Sequence, residues 1–236
     1  MIYDIVILTD CRYQNPKKTD WYIEQILLED GLVQSALEKK GLKVIRKSWD
    51  AKDFDWAQSR YAIFRSTWDY FNRFDEFFSW FEKTRKVLDF INCPEIIYWN
   101  LDKHYLNDLK KSNINIPPTI FIEKGEQQSL YALFKKTEWT KAVLKPAISG
   151  AARETFLIKK EEHLNYEKEL QRLTKKESML FQEFQYEIQR KGEMSLIMIN
   201  GQFTHAVLKK AKHGDFRVQD DFGGTVENYV PKKEEI

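Results

Sequence analysis

The sequence has few cysteines, no long apolar run and no excess of charge of either sign. The two cysteines, Cys11 and Cys93, lie far apart and in no metal-ligand spacing, so we expect buried free thiols in a reducing cytoplasm. No apolar run approaches the roughly 20 residues that span a bilayer. The N-terminus also lacks the basic and apolar segments of a signal peptide. These absences argue against a secreted or membrane protein and predict a cytoplasmic one.

The charge balance and the composition limit the partners. Lys plus Arg number 38 and Asp plus Glu 36, which leaves a net charge of +2. We therefore expect no nucleic-acid partner and no acidic membrane partner. The aromatic content of 14 % favours a well-packed globular protein over disorder. The 236 residues have room for one large domain or for two or three small lobes, and a homodimer is the commonest assembly for such proteins.

Strands and helices alternate through the first part of the chain. The continuous apolar run Ile5–Leu8 is typical of a central parallel strand. A helix over Glu29–Lys40 separates it from a strand at Val44-Ile45, and a third strand follows at Tyr61–Phe64. Phenylalanines then repeat at helical spacing from Phe74 to Phe81 and predict a buried helix face. This order predicts an α/β lobe with a parallel sheet.

The second part of the chain is richer in hairpin signals. A charged helix is predicted over Glu161–Leu173, and Asn200-Gly201 is the strongest short-range turn signal. The predicted strands are Thr119–Ile122, Ala142–Leu144, Phe156–Ile158, Met179–Phe184, Ser195–Ile199, Gln202–Leu208 and Phe216–Val218. Together they predict antiparallel sheets.

One stretch favours an anion site. The strand Ala142–Leu144 delivers Lys145, and Pro146 should stop the strand pairing because proline has no N–H. Five of the next six residues, 147–152, are Ala, Ser or Gly, which let backbone N–H groups approach an anion closely. This pattern predicts a flexible flap that closes over phosphates held by Lys145. A tight β-turn after an exposed lysine explains the same residues, and both interpretations stay open.

Further charged residues follow this order along the chain. Lys103 lies early in a predicted helix, Leu101–Lys111, which Asn100 could cap. Glu183 ends a strand, Glu193 follows within ten residues, and Lys209-Lys210 ends the next hairpin strand before Asp215-Phe216-Arg217. The set resembles the ATP-grasp superfamily, which includes glutathione synthetase.

Three segments narrow the resemblance within that superfamily. They are Arg65–Tyr70, Gly192–Ser195, and Asp215–Gln219 together with Gly223-Gly224-Thr225. These segments resemble the branch that contains O-ureido-D-serine cyclo-ligase. The resemblance implies an ATP-dependent carboxylate–amine ligase that works through an acyl phosphate on a small amino-acid-like or peptide substrate. It also implies a parallel-sheet lobe over residues 1–98, then an ATP-grasp region over 99–236 with a lid at about 115–182 and a truncated C-terminal lobe at 183–236.

The resemblance assigns roles to nucleotide-binding residues. Lys103 and Lys145 would hold the phosphates as point charges, under a flap that contains Ser149 and Gly150. Without the resemblance, Lys103 is more simply a solvated helix residue. The resemblance also implies that the backbone around Gln182, Glu183 and Phe184 contacts the adenine edge and that Glu193 accepts from the ribose hydroxyls. Arg217, together with Lys210 or Lys209, would face the triphosphate and the acyl phosphate.

The end of the third strand is the expected substrate side. Arg65 would hold a substrate carboxylate and Asp69 a substrate amine, with Trp68 and Tyr70 beside them. A polar strand-to-helix turn in which Asp69 or Asn72 acts as a cap explains this segment equally well.

The metal ligands of the family are harder to find. The resemblance implies ATP with Mg²⁺, which needs oxygen ligands in near-octahedral order. The acids remaining near the end are Asp220, Asp221 and Glu227, and none is in a strand-borne acid-x-acid arrangement. We therefore expect the chain to stop short of the metal site. The alternative function is a non-catalytic nucleotide-binding or sensor module.

Overall fold

The first sheet is parallel and forms the N-terminal lobe. The computed structural model describes residues 1–219 and 222–236. Four strands lie in the order β2-β1-β3-β4, with bounds β1 Tyr3–Thr9, β2 Val44–Ser48, β3 Ser59–Ser66 and β4 Asp89–Ile91. The predicted central strand is confirmed, because β1 pairs on both sides and Val6, Ile7 and Leu8 are completely buried.

Helices cover this sheet, and one begins earlier than predicted. They are α1 Cys11–Gln14, α2 Trp21–Glu38, α3 Phe74–Thr84 and α4 Pro94–Leu101. The helix α2 begins at Trp21 because Asp20 caps it, accepting a hydrogen bond from the Ile23 N–H at 2.9 Å. On α3 the predicted aromatic face is confirmed, since Phe77 and Phe81 are buried.

The expectation for the two cysteines is wrong in one respect: Cys11 and Cys93 are both free thiols, but both are exposed.

The second sheet is antiparallel and has its own core. Its order is β5-β8-β6-β7, with β5 Thr119–Ile122, β6 Lys141–Pro146, β7 Phe156–Lys159 and β8 Met179–Glu183. The helices α6 Leu130–Thr137 and α7 Glu167–Thr174 bury Leu133, Phe134, Leu170 and Leu173 against it. The predicted helix over 161–173 is regular from Glu167, since residues 160–166 form a 3₁₀ segment. Pro146 does not end the pairing, because β8 still lies opposite it and the next N–H, from Ala147, reaches the Ser178 carbonyl at 2.9 Å.

A third sheet carries the end of the chain. Its order is β11-β10-β9, with β9 Glu193–Ile199, β10 Gln202–Lys210 and β11 Thr225–Tyr229, and the short helices α5 Tyr105–Lys111 and α8 Tyr186–Lys191 precede β5 and β9. The predicted hairpin is confirmed: Asn200 and Gly201 turn the chain with φ of +50° and +73°. The predicted strand Phe216–Val218 is wrong, because the Asp215 carboxylate accepts from the Phe216 and Arg217 N–H groups and folds a local turn instead.

The architecture agrees with the predicted fold class. One parallel sheet is followed by two antiparallel sheets in a mixed α/β chain. Among residues 1–219 and 222–236, none of the helices combines the length and the apolar character needed to cross a bilayer.

Candidate functional site

A cleft of about 430 Å³ lies beneath the loop 147–155, which we call the flap. The flap joins β6 to β7 and forms one wall of the cleft. Nine of the residues singled out in the sequence line this space, although they come from separate parts of the chain. They are Lys103, Lys145, Ser149, Gly150, Gln182, Glu183, Phe184, Glu193 and Arg217.

Lys145 enters the cleft from the end of β6. Its Nζ donates to Oε1 of Gln182 at 2.8 Å, and Nε2 of Gln182 donates to Oγ1 of Thr119 at 2.8 Å. Burial lowers the pKa of the Lys145 ammonium. The charge is therefore held on a strand and oriented by a neutral amide, which leaves it available to an anion.

Lys103 reaches the same cleft from a different position than predicted. It lies between α4 and α5, because α4 ends at Leu101 and α5 begins at Tyr105. Asn100 is consequently inside α4 and does not cap a helix. Nζ of Lys103 donates to the Ser149 carbonyl at 2.7 Å and to the Ala147 carbonyl at 3.3 Å. Burial, and then the charge of Lys145, lower the pKa of Lys103 to about 8.

The flap has a strained backbone and contacts the N-terminal lobe. Ala151 and Ala152 both adopt left-handed conformations, with φ of +48° and +53°. A Cβ added to Gly150 would lie 2.7 Å from Cε1 of Phe71, in the loop after β3. A side chain at position 150 would therefore push Phe71 or the flap aside, which explains a glycine here.

The wall opposite the flap comes from β8 and β9. The N–H groups of Glu183 and Phe184 donate to the carbonyls of Pro118 and Lys141, at 2.9 Å and 3.2 Å. Because these donors are already used, Gln185, which also lines the cleft, supplies the next backbone N–H. Glu193 begins β9, and its carboxylate lies 3.5 Å from Nζ of Lys209. The predicted adenine and ribose contacts of this wall stay predictions.

Arg217 lies in the cleft, held by a neighbouring acid. Asp215 accepts from Nε at 3.1 Å and from Nη2 at 2.7 Å, and these bonds hold the pKa of the Asp215 carboxyl well below its usual range. The guanidinium lies 3.8 Å above the Phe222 ring.

Position 224, in the segment that follows Arg217, has no room for a side chain. A Cβ added to Gly224 would lie 2.3 Å from the Val218 carbonyl oxygen, so only glycine fits there.

The structure does not bring Lys210 to the cleft. Neighbouring residues of a strand face opposite sides of the sheet, so Lys209 and Lys210 on β10 point apart. Lys209 lies opposite Glu193 in the ladder. Lys210 instead donates to Glu227 at 2.8 Å on an exposed face. The predicted catalytic role of Lys210 stays a prediction.

Comparison with known proteins decides the family. A model of the prokaryotic glutathione synthetase ATP-grasp domain matches residues 107–236, which is more than half of the chain. The chain belongs to this ATP-grasp family. A second model, the N-terminal domain of the D-cycloserine synthetase DcsG, matches residues 5–92.

A curated relative matches part of the chain, and solved structures share its fold. The cycloserine biosynthesis protein DcsG of Streptomyces lavendulae is 25 % identical over 167 residues, which cover 69 % of this chain and 56 % of that protein. The match thus spans little more than half of the curated relative. The crystal structure of D-cycloserine synthetase DcsG superimposes with a TM-score of 0.80 at 21 % identity, over 96 % of this chain and 75 % of that one. D-alanine–D-alanine ligase from Bacillus anthracis, complexed with ATP, gives 0.57 at 12 % identity, over 98 % and 72 %.

The expected substrate residues of this ATP-grasp chain do not join the cleft. Arg65 forms ion pairs with Glu29 at 2.5 Å and with Asp30 at 3.5 Å. Asp69 is buried and accepts from Trp49 Nε1 at 2.7 Å and from Arg73 Nη1 at 3.1 Å. These groups already have partners within the lobe. The alternative of a cap is wrong in its residues, because Arg73 is the N-cap residue of α3 and forms no side-chain capping hydrogen bond. The capture of an amine by Asp69 stays a prediction.

Trp68 and Tyr70 lie on either side of that turn. Trp68 packs on Tyr13 and Tyr22, with ring centroids 6.0 and 6.2 Å apart. Tyr70 lines a separate cavity of about 430 Å³ between β3, β4 and α4, and burial raises the pKa of its hydroxyl. A role of Tyr70 toward a substrate stays a prediction.

Replacing Asp69 by asparagine should destabilise the N-terminal lobe. Asparagine keeps an acceptor for Trp49 but removes the charge that faces Arg73, so we expect the free energy of unfolding to fall by about 1 to 2 kcal/mol. Urea denaturation measures this difference. Asp89→Asn is the matched control, because Asp89 is exposed at the sheet edge. Equal stability of the two variants would contradict the structural role of Asp69.

The residues that hold the flap from outside were not predicted from the sequence. Arg153 belongs to the flap itself, and it pairs with Glu177, which lies 24 positions away. A charged residue inside a run of small ones was the available signal for Arg153. No spacing rule connects it to Glu177, because the contact forms between a flap and a turn of the folded domain.

Clustered metal ligands were sought among the described residues of the chain. Among residues 1–219 and 222–236, no group of three or more His, Cys, Asp or Glu side chains is placed to hold a metal ion. Glu227 is paired with Lys210, and the other two candidates, Asp220 and Asp221, lie outside the described residues. The ATP-grasp family implies Mg²⁺, which proteins usually bind through one or two carboxylates together with phosphate oxygens.

Proposed function

We propose that this chain binds ATP in the cleft beneath the flap, as part of an ATP-dependent ligase that joins a carboxylate to an amine. One observation carries the proposal: two ammonium groups from distant segments, Lys103 and Lys145, converge beneath the flap. Among the described residues their hydrogen bonds go to carbonyl or amide oxygens and not to carboxylates. Two close cations with lowered pKa values are a natural site for a polyphosphate.

The proposed chemistry proceeds in two displacements. A substrate carboxylate oxygen attacks the γ-phosphorus, the bond to the bridging oxygen breaks, and ADP leaves with that electron pair. An amine nitrogen then attacks the acyl carbon, phosphate departs, and the nitrogen loses a proton. The lysines and Arg217 would neutralise the charge that develops, so positioning and electrostatics supply most of the catalysis.

The other wall of the cleft completes the nucleotide site. We assign the adenine edge to the backbone after β8, near Phe184 and Gln185, and the ribose hydroxyls to Glu193. A carboxylate accepts from hydroxyl donors, and Glu193 already faces Lys209 at the cleft wall.

Two measurements test the proposal in sequence. Calorimetry with a non-hydrolysable ATP analogue measures binding, and an ADP-release screen with amino acids and dipeptides then measures turnover. We expect saturable binding and substrate-dependent ADP release. Binding without ADP release for any substrate would favour the non-catalytic nucleotide-binding module, and absence of binding would contradict both functions.

A further inference from the structure

The flap is held on two sides in this structure. On the side of the cleft, the Lys103 ammonium donates to the Ser149 carbonyl at 2.7 Å. On the outer side, Arg153 donates from Nη1 and Nη2 to the two carboxylate oxygens of Glu177, at 3.0 Å and 2.5 Å. Nη2 of Arg153 also donates to the Ile148 carbonyl at 2.9 Å, so the same guanidinium ties both ends of the flap together.

Hydrogen bonds and partial burial hold Glu177 in place for this ion pair. It lies in the turn between α7 and β8, where its N–H donates to the carbonyl of the buried Leu173 at 3.0 Å. The next residue, Ser178, accepts from the N–H of Ala147 at the base of the flap. Both charged side chains are about three-quarters buried, with exposures of 23 % and 24 %, so solvent screens them less than a surface pair.

A crevice of about 600 Å³ lies behind the flap and gives it room to move. Arg153 and Glu177 line this crevice together with Phe71, Asn72 and Lys176. The Arg153 guanidinium lies 6.0 Å from the Phe71 ring, and its Nε–H is buried with no hydrogen-bond partner among the described residues. Breaking the ion pair would therefore remove the outer anchor of the flap, on the side where the crevice leaves room for outward movement.

Nucleotide binding would affect the two anchors differently. Phosphate oxygens are stronger acceptors for an ammonium than a carbonyl, so a bound nucleotide would draw Lys103 away from Ser149. The Arg153–Glu177 pair lies on the other side of the flap and does not compete with the nucleotide. We propose that this ion pair is a latch that positions the flap over the cleft and slows the departure of bound nucleotide. The proposal rests on the ATP site proposed above.

The dissociation rate of a fluorescent ATP analogue, measured by stopped flow on the whole chain, tests the latch. Glu177→Gln keeps the shape of the side chain and removes its charge, so we expect dissociation about tenfold faster, with affinity lowered by the same factor. Arg153→Lys should give an intermediate rate, because lysine keeps the charge but loses the two-pronged geometry. The double variant R153E/E177R should recover most of the original rate.

Controls separate a latch from general support of the fold. Glu162→Gln removes the partner of Lys159 in an exposed pair near β7 and should leave the rate unchanged. A Glu177→Gln variant with a lowered melting temperature but the original dissociation rate would overturn the latch and leave the ATP site intact. Failure of the unmodified chain to bind nucleotide would overturn the proposed function itself.

Discussion

Lys145→Ala is expected to weaken nucleotide binding about a hundredfold, which corresponds to about 2.7 kcal/mol. The ammonium is buried at the end of β6, where a charge interacts more strongly with a phosphate than it does in water. The substitution also leaves Gln182 without the donor that it accepts from at 2.8 Å. Titration calorimetry with a non-hydrolysable ATP analogue measures the change.

Two further variants make that result specific. Lys145→Met keeps the apolar stem without the charge and should lose as much affinity as Lys145→Ala. Lys159→Ala removes an exposed lysine from β7 of the same sheet and should bind like the unmodified chain. If Lys145→Ala and the unmodified chain have the same dissociation constant, the assignment of this lysine to the phosphates is wrong.

The second large effect is a loss of nucleotide affinity as the pH rises through 8. Lys103 binds phosphate as an ammonium, and in the free protein its pKa is about 8. Affinity should therefore be highest well below pH 8. Above pH 8 the protonated fraction falls about tenfold per pH unit, and affinity falls with it until the pH reaches the raised pKa of the bound state. Titrations from pH 7 to 9.5 at constant ionic strength measure the slope.

An arginine variant distinguishes the contribution of Lys103 to the pH dependence from that of Lys145. Lys103→Arg stays charged throughout this range, so its affinity should lose most of the pH dependence. Lys145, whose pKa is also lowered, remains in both proteins and accounts for any residual slope. Binding that is equally steep with Lys103→Arg, or flat in the unmodified chain, would contradict a titrating Lys103.

Short-range sequence patterns predicted turns well, but they did not predict where a side chain competes with a strand for backbone hydrogen bonds. The β9–β10 hairpin follows from Asn200-Gly201, since few residues adopt the two left-handed conformations of that turn. The strand Phe216–Val218 fails because a single carboxylate, Asp215, satisfies the backbone donors that a ladder would use. The strand β11 was missed, and it forms because β10 offers it a free edge.

The residues of the candidate site could be predicted from the sequence, but their partners could not. Residues that belong to strand ends, such as Lys145 and Glu183, could be placed from the chain order, and the resemblance to ATP-grasp proteins added Lys103. The partners of Arg65 and Asp69 could not be foreseen, since Glu29 and Trp49 come from other elements of the lobe. Whether a charged side chain is available to a ligand depends on which partners the fold brings to it.

The sequence by itself determined the alternation of elements, the small-residue flap after Lys145 and the family to which the chain belongs. The tertiary structure decided that Lys103 and Lys145 share one cleft, that Lys209 and not Lys210 lies beside Glu193, and that Arg153 holds the flap against Glu177. The physical reason is the distance along the chain over which each kind of interaction acts. Turn geometry and strand periodicity act over a few residues, whereas burial and ion pairing depend on groups that only folding brings together.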